Sequence, residues 1–291
     1  MKKINIFCFG FGQVAKNFIM KVKKEGILFN LTTTSRQITS KKKFENFEHQ
    51  SFYFDENDFD QNLMNNLKKA DYILVSIPPI NNEDVVIKKL KKNIKNLSPK
   101  WITYLSATSV YGNHDGKWVD ENSKTIPTSV NGKNRLNAEK LWIELFEQFN
   151  LPIQIFRLSG IYSDQNNILK RLKSGQVKIV NKKDHFFSRI HVKDIANILF
   201  KSLKIFKEGE IFNISDDKPA PNEEVISHGI KLLGINKPEI INVKDLQSDM
   251  LKNFYNDSKK INNKKMKKFF NYKLEYPSFI EGLDHINNNF I

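Results

Sequence analysis

Apolar residues recur along the first half of the chain in two alternating rhythms. Short apolar runs at Ile4–Phe9, Ile27–Thr34, Phe52–Phe54, Asp71–Ile77, Trp101–Leu105 and Ile153–Leu158 predict six strands. Between the first two, Val14, Phe18, Ile19 and Val22 stand at helical spacing. Further helices are expected over Phe59–Lys69, Glu83–Leu97 and Leu136–Phe149, and Pro78-Pro79 stops the fourth strand. Such alternation predicts an α/β fold: a doubly wound parallel sheet, helices on both faces, strand order 3-2-1-4-5-6. Glu210–Ser215 is expected to return to the sheet as an extra strand. The rhythm loosens after Gly160, which predicts a smaller C-terminal domain on the substrate side. The expected division assigns residues 1–161, with 193–215 returning, to the sheet domain, and 162–192 with 216–291 to a cap. No internal repeat or low-complexity linker interrupts the chain.

The first strand leads directly into Gly10-Phe11-Gly12-Gln13-Val14-Ala15. A strand, a glycine turn and a helix in that order form a Rossmann-type dinucleotide site. Gly10 allows the tight turn, Gly12 lets the backbone approach a pyrophosphate, and Ala15 keeps helix and strand close. Phe11, Gln13 and Val14 belong to the same contact set, with the anion at a helix N-terminus. The bland alternative is an ordinary turn. An acidic residue about 20 positions on normally holds the ribose of NAD, yet residues 26–44 contain no Asp or Glu. The second strand ends instead in Thr34-Ser35-Arg36. Arg36 suits a 2′-phosphate and Ser35 adds a hydroxyl, so NADP is the expected cofactor and NAD the alternative. A surface arginine in a loop is the competing reading of Arg36. Ser76, Ile77 and Pro78 after the fourth strand, Ser106 after the fifth, and Gly160 and Ile161 after the sixth complete the expected cofactor contacts.

Charge and composition narrow the classes of function. The formal net charge is +15, and of 47 basic residues only five are arginine. Lysines spread along the chain, as in Lys41-Lys42-Lys43 and Lys264-Lys265, read as solvated faces rather than a nucleic-acid surface. The single cysteine, Cys8, rules out an internal disulfide framework and points to a cytoplasmic protein. The apolar stretch after Met1-Lys2-Lys3 is only about seven residues long and lacks a small-residue cleavage site, so it is not read as a leader. No run reaches the roughly 18 apolar residues of a membrane span. His49, His114, His185, His228 and His285 show no metal-ligand spacing, and no metal is expected. No nucleophile elbow or P-loop is present.

Later segments carry a family signature. Leu105-Ser106-Ala107-Thr108-Ser109-Val110-Tyr111-Gly112 comes first, followed by Arg157-Leu158-Ser159-Gly160-Ile161-Tyr162. Arg189-Ile190-His191-Val192-Lys193-Asp194, Glu210–Asp216, and Tyr276-Pro277-Ser278 with Gly282-Leu283 complete it. In this order the segments resemble the extended short-chain dehydrogenases/reductases, the NAD-dependent epimerase/dehydratase family, over nearly the whole chain. The glycine turn is closer to the family's atypical, sugar-nucleotide-epimerase-like branch. The resemblance implies a Ser/Thr, a Tyr and a Lys as catalytic trio, the last two spaced Y-x-x-x-K, which moves the hydroxyl proton as hydride passes to the nicotinamide. At the matching positions this chain has Ala107, Asn131 and Arg135. Asparagine releases no proton, whereas Arg135 keeps a charge that can grip the ribose, with a solvated helix arginine as the alternative. Tyr111 and Thr108 are the hydroxyls expected to act in catalysis. Tyr162 is the other nearby phenol, a buried structural tyrosine is the alternative for both, and His191 is expected to order a loop.

The leading expectation is an NAD(P)-dependent epimerase, dehydratase or reductase for a sugar nucleotide or small hydroxy/carbonyl compound. A non-catalytic NADP-binding redox sensor is the second reading, and nucleic-acid binding trails both.

Overall fold

The computed structural model describes residues 3–182, 184–247 and 249–290. Its central strand, β1 (Ile4–Phe9), has its last four residues buried. It pairs in parallel with β2 (Phe29–Ser35) on one side and β5 (Tyr72–Val75) on the other. A strand covered on both faces has no polar side to show, which is why INIFCF reads as a run rather than an alternation. Around it stand β3 (Ser40–Phe44), β4 (Phe47–Tyr53), β6 (Trp101–Ala107), β8 (Ile153–Leu158) and β12 (Ile211–Ile214). The sheet runs β12-β8-β6-β5-β1-β2-β4-β3. The six expected strands therefore lie in the expected order, and the 211–214 segment returns beside β8. The edge strand β3 was not anticipated. Its lysines form the outer, antiparallel arm of a hairpin closed at Glu45-Asn46, with Lys42 opposite His49 and Phe44 opposite Phe47. The lysine run keeps the solvated face expected of it, with Lys41 and Lys43 exposed, and forms a charged sheet edge, a common guard against further strand pairing.

Helices α1 (Gln13–Lys24), α2 (Leu63–Leu67), α3 (Val85–Ile94), α4 (Val130–Phe149) and α6 (Val192–Ser202) connect the strands. Helix α1 buries Val14, Ala15, Phe18, Ile19 and Val22, the helical stripe of the sequence. Ile27 belongs to the turn that closes α1, its N–H bonded to the Val22 carbonyl, so β2 begins at Phe29. Helix α2 starts later than expected because Phe59 bridges Phe54, the Asp60 N–H bonds the Tyr53 carbonyl and the Asp60 carboxylate accepts the Asn62 N–H, a local turn that competes with helix. Helix α4 starts earlier, because the Ser129 hydroxyl accepts the Gly132 N–H at 3.1 Å. The core of this region joins Phe7, Phe9, Ile73, Val75, Leu90, Tyr104 and Trp142.

The chain packs as two units, the first comprising Met1–Ser106, Lys133–Arg157 and Ile195–Phe212. The second comprises Ala107–Gly132, Leu158–Asp194 and Asn213–Ile291, so it takes in 107–132, 158–161, 193–194 and 213–215 in addition to the expected cap segments. Within it lie three two-stranded pieces. They are β7 (Trp118–Val119) with β14 (Lys260–Ile261), β9 (Gly160–Tyr162) with β11 (Arg189–His191), and β10 (Ile179–Asn181) with β13 (Ile240–Asn242). Its core gathers Tyr162, Leu169, Leu172, Ile226, Phe279 and Leu283 from β9, α5 (Ile168–Lys173), α7 (Asn222–Leu233) and α10 (Phe279–Phe290). Two short helices, α8 (Asp249–Asn256) and α9 (Lys264–Phe269), complete it. Among the described residues no helix is long and apolar enough to cross a membrane.

Candidate functional site

The glycine turn is pinned from both flanking strands. Gly10 has φ +83°, and a Cβ there would stand 2.9 Å from the Ser76 hydroxyl and 3.2 Å from Ile77 Cγ1. Only glycine adopts that backbone so close to its neighbours. The Gly10 N–H donates to Thr34 Oγ1 at 3.0 Å, and the Ser76 hydroxyl donates to the Phe9 carbonyl at 2.9 Å. Gly12 is the N-cap of α1 and offers no side-chain cap, and the first turn holds no acidic residue. A Cβ on Gly12 would meet nothing within 4 Å. The result is a helix N-terminus with open space before it, the arrangement that attracts an anion through amide N–H groups and the helix dipole.

At the end of β2 the sequence placed Ser35 and Arg36. Arg36 is exposed, and two neighbours join Ser35 that sequence reasoning missed. Ser51 Oγ lies 3.3 Å from Ser35 Oγ, and Lys42 Nζ reaches Ser35 Oγ at 3.4 Å and Gln37 Oε1 at 2.5 Å. Both come from the β3–β4 hairpin, whose outer strand alternates only between exposed and half-buried positions, too weak a signal to place Lys42 from the sequence. Phe11, the middle residue of the turn, packs edge-on against Phe44 and tilted against His49, with ring centres 5.1 Å apart in both cases. Burial, and then Lys42, hold the His49 imidazole below its ordinary pKa, so it is neutral near pH 7.

The end of β6 carries a further polar group. Ser106 Oγ is buried and has no hydrogen-bond partner among the described residues. Arg135, standing where the family has lysine, donates from one terminal guanidinium nitrogen to the Leu105 carbonyl at 2.6 Å. Its guanidinium therefore lies at this strand end rather than in solvent. Deeper in the unit, Arg157 and Glu139 form a buried ion pair with N–O separations from 2.7 to 3.2 Å. Asp84 accepts from the Ile87 N–H at 2.9 Å and Trp142 Nε1 at 3.0 Å, and burial raises its pKa.

The remaining expected residues lie in the second unit. Thr108 and Tyr111 bound a single 3-10 turn. Tyr111 is 0% exposed and its phenol donates to Asn213 Oδ1 at 2.8 Å. Thr108 is half-buried, and Asn131 is exposed. Gly160 and Ile161 pair with Arg189 and Ile190 as backbone of β9 and β11. His191 is fully buried, its Nε2 3.5 Å from Asp164 Oδ1, and burial lowers its pKa to about 4. Lys193 Nζ lies 3.6 Å from the other Asp164 oxygen and 3.0 Å from His285 Nε2. Asp194 accepts from the Tyr272 hydroxyl and from the N–H groups of Glu275 and Tyr276, at 2.6, 2.7 and 3.0 Å. Among the described residues no three His, Cys, Asp or Glu side chains are grouped as a metal ion would need.

No model of a known protein family matches the chain, and no curated protein does. Solved structures do. A functionally unknown conserved protein from Silicibacter pomeroyi DSS is 28% identical over 99% of both chains, with a TM-score of 0.87. UDP-glucuronic acid 4-epimerase from Bacillus cereus, solved with NAD, is 17% identical, covers 98% of this chain and 96% of its own, and has a TM-score of 0.78. dTDP-glucose 4,6-dehydratase from Bacillus anthracis str. Ames, also with NAD, is 18% identical over the same shares, with a TM-score of 0.77. The fold is that of these NAD-complexed sugar-nucleotide enzymes, end to end.

Proposed function

We propose that the chain is an NADP-dependent enzyme of the epimerase/dehydratase family that acts on a sugar nucleotide. The observation that carries this reading is the open, uncapped N-terminus of α1 behind Gly10 and Gly12, on the central strand of the sheet. The space before Gly12 and the unpartnered Ser106 hydroxyl fit a bound dinucleotide, and the end-to-end likeness to NAD-complexed sugar-nucleotide enzymes supports it. The backbone from Gly10 to Val14 holds the pyrophosphate. Ser35, Arg36 and Lys42 receive the 2′-phosphate, with two cations and no carboxylate from residue 26 to 44. Ile77 and Pro78 border the turn, and Ser106 and Arg135 hold the ribose on the nicotinamide side. The nicotinamide supplies the hydride donor and acceptor.

The proton is the harder part, because Ala107 and Asn131 stand where the family has hydroxyls. Of the two hydroxyls marked in the sequence, the Tyr111 phenol is engaged with Asn213, which leaves Thr108 to orient the reacting oxygen. Incubation with UDP-glucose, UDP-glucuronic acid and dTDP-glucose in the presence of NADP, read by NMR of the sugar, tests turnover. Thr108→Val is expected to lower it about 10²-fold with NADPH affinity unchanged. Tyr111→Phe is expected to keep turnover and to lower stability by about 1–3 kcal/mol, since Asn213 loses its partner in a buried site. The engaged Tyr111 and the absent trio favour a second reading, an NADP-binding sensor without turnover. Tight NADPH binding with no conversion of any of the three substrates would select it.

A further inference from the structure

We propose that the first unit carries a second ligand site, for a small aromatic anion, at the N-terminal ends of β2 and β4. A cavity of about 640 Å³ opens there, within the roughly 300–1,000 Å³ typical of small-molecule sites. Its apolar wall is Phe29, Leu31 and Phe47, with Leu28 left 50% exposed at its rim. The Phe29 and Phe47 rings stand edge to face with centres 5.4 Å apart, an arrangement aromatic pairs prefer and one that an aromatic ligand can extend.

The charged lining fixes the sign of the ligand. Lys3, Lys23 and Lys41 face the cavity against one carboxylate, Glu48. Lys23 Nζ sits 5.5 Å from the Phe47 ring centre, so cation and apolar wall are adjacent. A neutral aromatic would leave that cationic lining unmatched, and a simple inorganic anion would leave the aromatic wall wet. The end of α1 does not oppose an anion here through bare carbonyls. The Lys21, Val22 and Lys23 carbonyls accept the N–H groups of Glu25, Ile27 and Gly26. His49 also lines the cavity, and its Nδ1 has no hydrogen-bond partner among the described residues.

This site lies apart from the dinucleotide turn, although His49 of its lining packs against Phe11 of that turn. Gly12 begins α1 and Lys23 lies near its far end, about 16 Å along the axis at 1.5 Å per residue. The inference does not rest on the proposed function, and its test is read independently. The probe is 8-anilinonaphthalene-1-sulfonate, an aromatic anion whose fluorescence rises on binding, titrated first without NADPH and then with NADPH in excess. One saturable site per chain is expected. The double variant Lys23→Glu/Lys41→Glu, at one half-buried and one exposed lysine, should weaken it at least tenfold. Leu28→Asp, at the exposed rim, should do the same, and the uncharged N-phenyl-1-naphthylamine should bind at least tenfold more weakly than the anion. Unchanged affinity in both variants, equal binding of the neutral compound, or displacement of the probe by NADPH would overturn the proposal.

Discussion

Two helices of the first unit follow neighbouring strands of one parallel sheet, and they treat their first turns in opposite ways. Helix α3, after β5, begins at Asp84, whose carboxylate accepts from the Ile87 N–H and from Trp142 Nε1 while 4% exposed. Helix α1, after β1, begins at Gly12, which has no side chain to offer. An acidic N-cap stabilises a helix by itself, whereas a glycine cap leaves the same electrostatic demand to an outside anion. The geometry of strand, turn and helix is shared. What separates a capped helix start from the open one proposed to bind a ligand is a single side chain at the cap, and the polar groups that hold the turn open.

The sharpest way to break this contrast is to convert α1 into a copy of α3. Gly12→Asp places a carboxylate in open space, where it caps the helix and repels pyrophosphate. NADPH affinity is expected to fall at least 100-fold, which is about 2.7 kcal/mol. Stability is expected to rise by only a few tenths of a kcal/mol, because glycine is itself a fair N-cap. Fluorescence titration and urea unfolding read the two effects, and a fall in both quantities would refute the comparison. The converse change is Asp84→Ala. It removes the α3 cap and strands Trp142 Nε1, so stability should drop by about 2–3 kcal/mol, with NADPH affinity unaltered.

Replacement of the cations at the far end of the cofactor site is expected to be milder. Arg36→Ala should weaken NADPH binding by about 1.5–3 kcal/mol and leave NADH nearly unaffected. Lys42→Gln should act in the same direction by a few-fold, since its Nζ already bonds Ser35 Oγ and Gln37 Oε1. Equal affinity of the unaltered protein for NADPH and NADH would remove the 2′-phosphate assignment while leaving the turn intact.

The smallest effect concerns pH. Burial raises the Asp84 pKa in the folded chain above its unfolded value, so the folded state holds that proton more tightly. The associated stability is present below the unfolded pKa and is lost as pH rises through the folded one. Urea unfolding across the acid range should show this slope in the unaltered protein and not in Asp84→Asn. A parallel profile for the two would mean that Asp84 does not titrate as its burial implies. Helix α1 has no acidic cap to titrate and adds no such slope of its own.

Much of the sheet was legible from the chain because its strands are covered on both faces and so appear as unbroken apolar runs bounded by turns. The glycine turn was legible for a related reason: Gly10 must adopt φ +83° against Ser76, and that demand falls on one residue at one spacing. The hairpin edge was not. Ser40–Phe44 carries three lysines in a row, and a strand half in solvent has too weak a pattern to stand out from a charged loop. The start of α4 was set by Ser129, a cap outside the apolar stripe.

By itself, then, the sequence determined the strands of the sheet, the glycine turn and the lack of a carboxylate after β2, because each depends on residues close together in the chain. Contacts made across long separations were decided only by the tertiary structure. Lys42 meets Ser35 because a hairpin folds back onto β2, and Thr34 holds Gly10 because two strands lie side by side. Tyr111 lost its free phenol to Asn213, 102 residues away. No local pattern encodes such a partner. The buried phenol needs an acceptor, and only the packed chain says which one it finds.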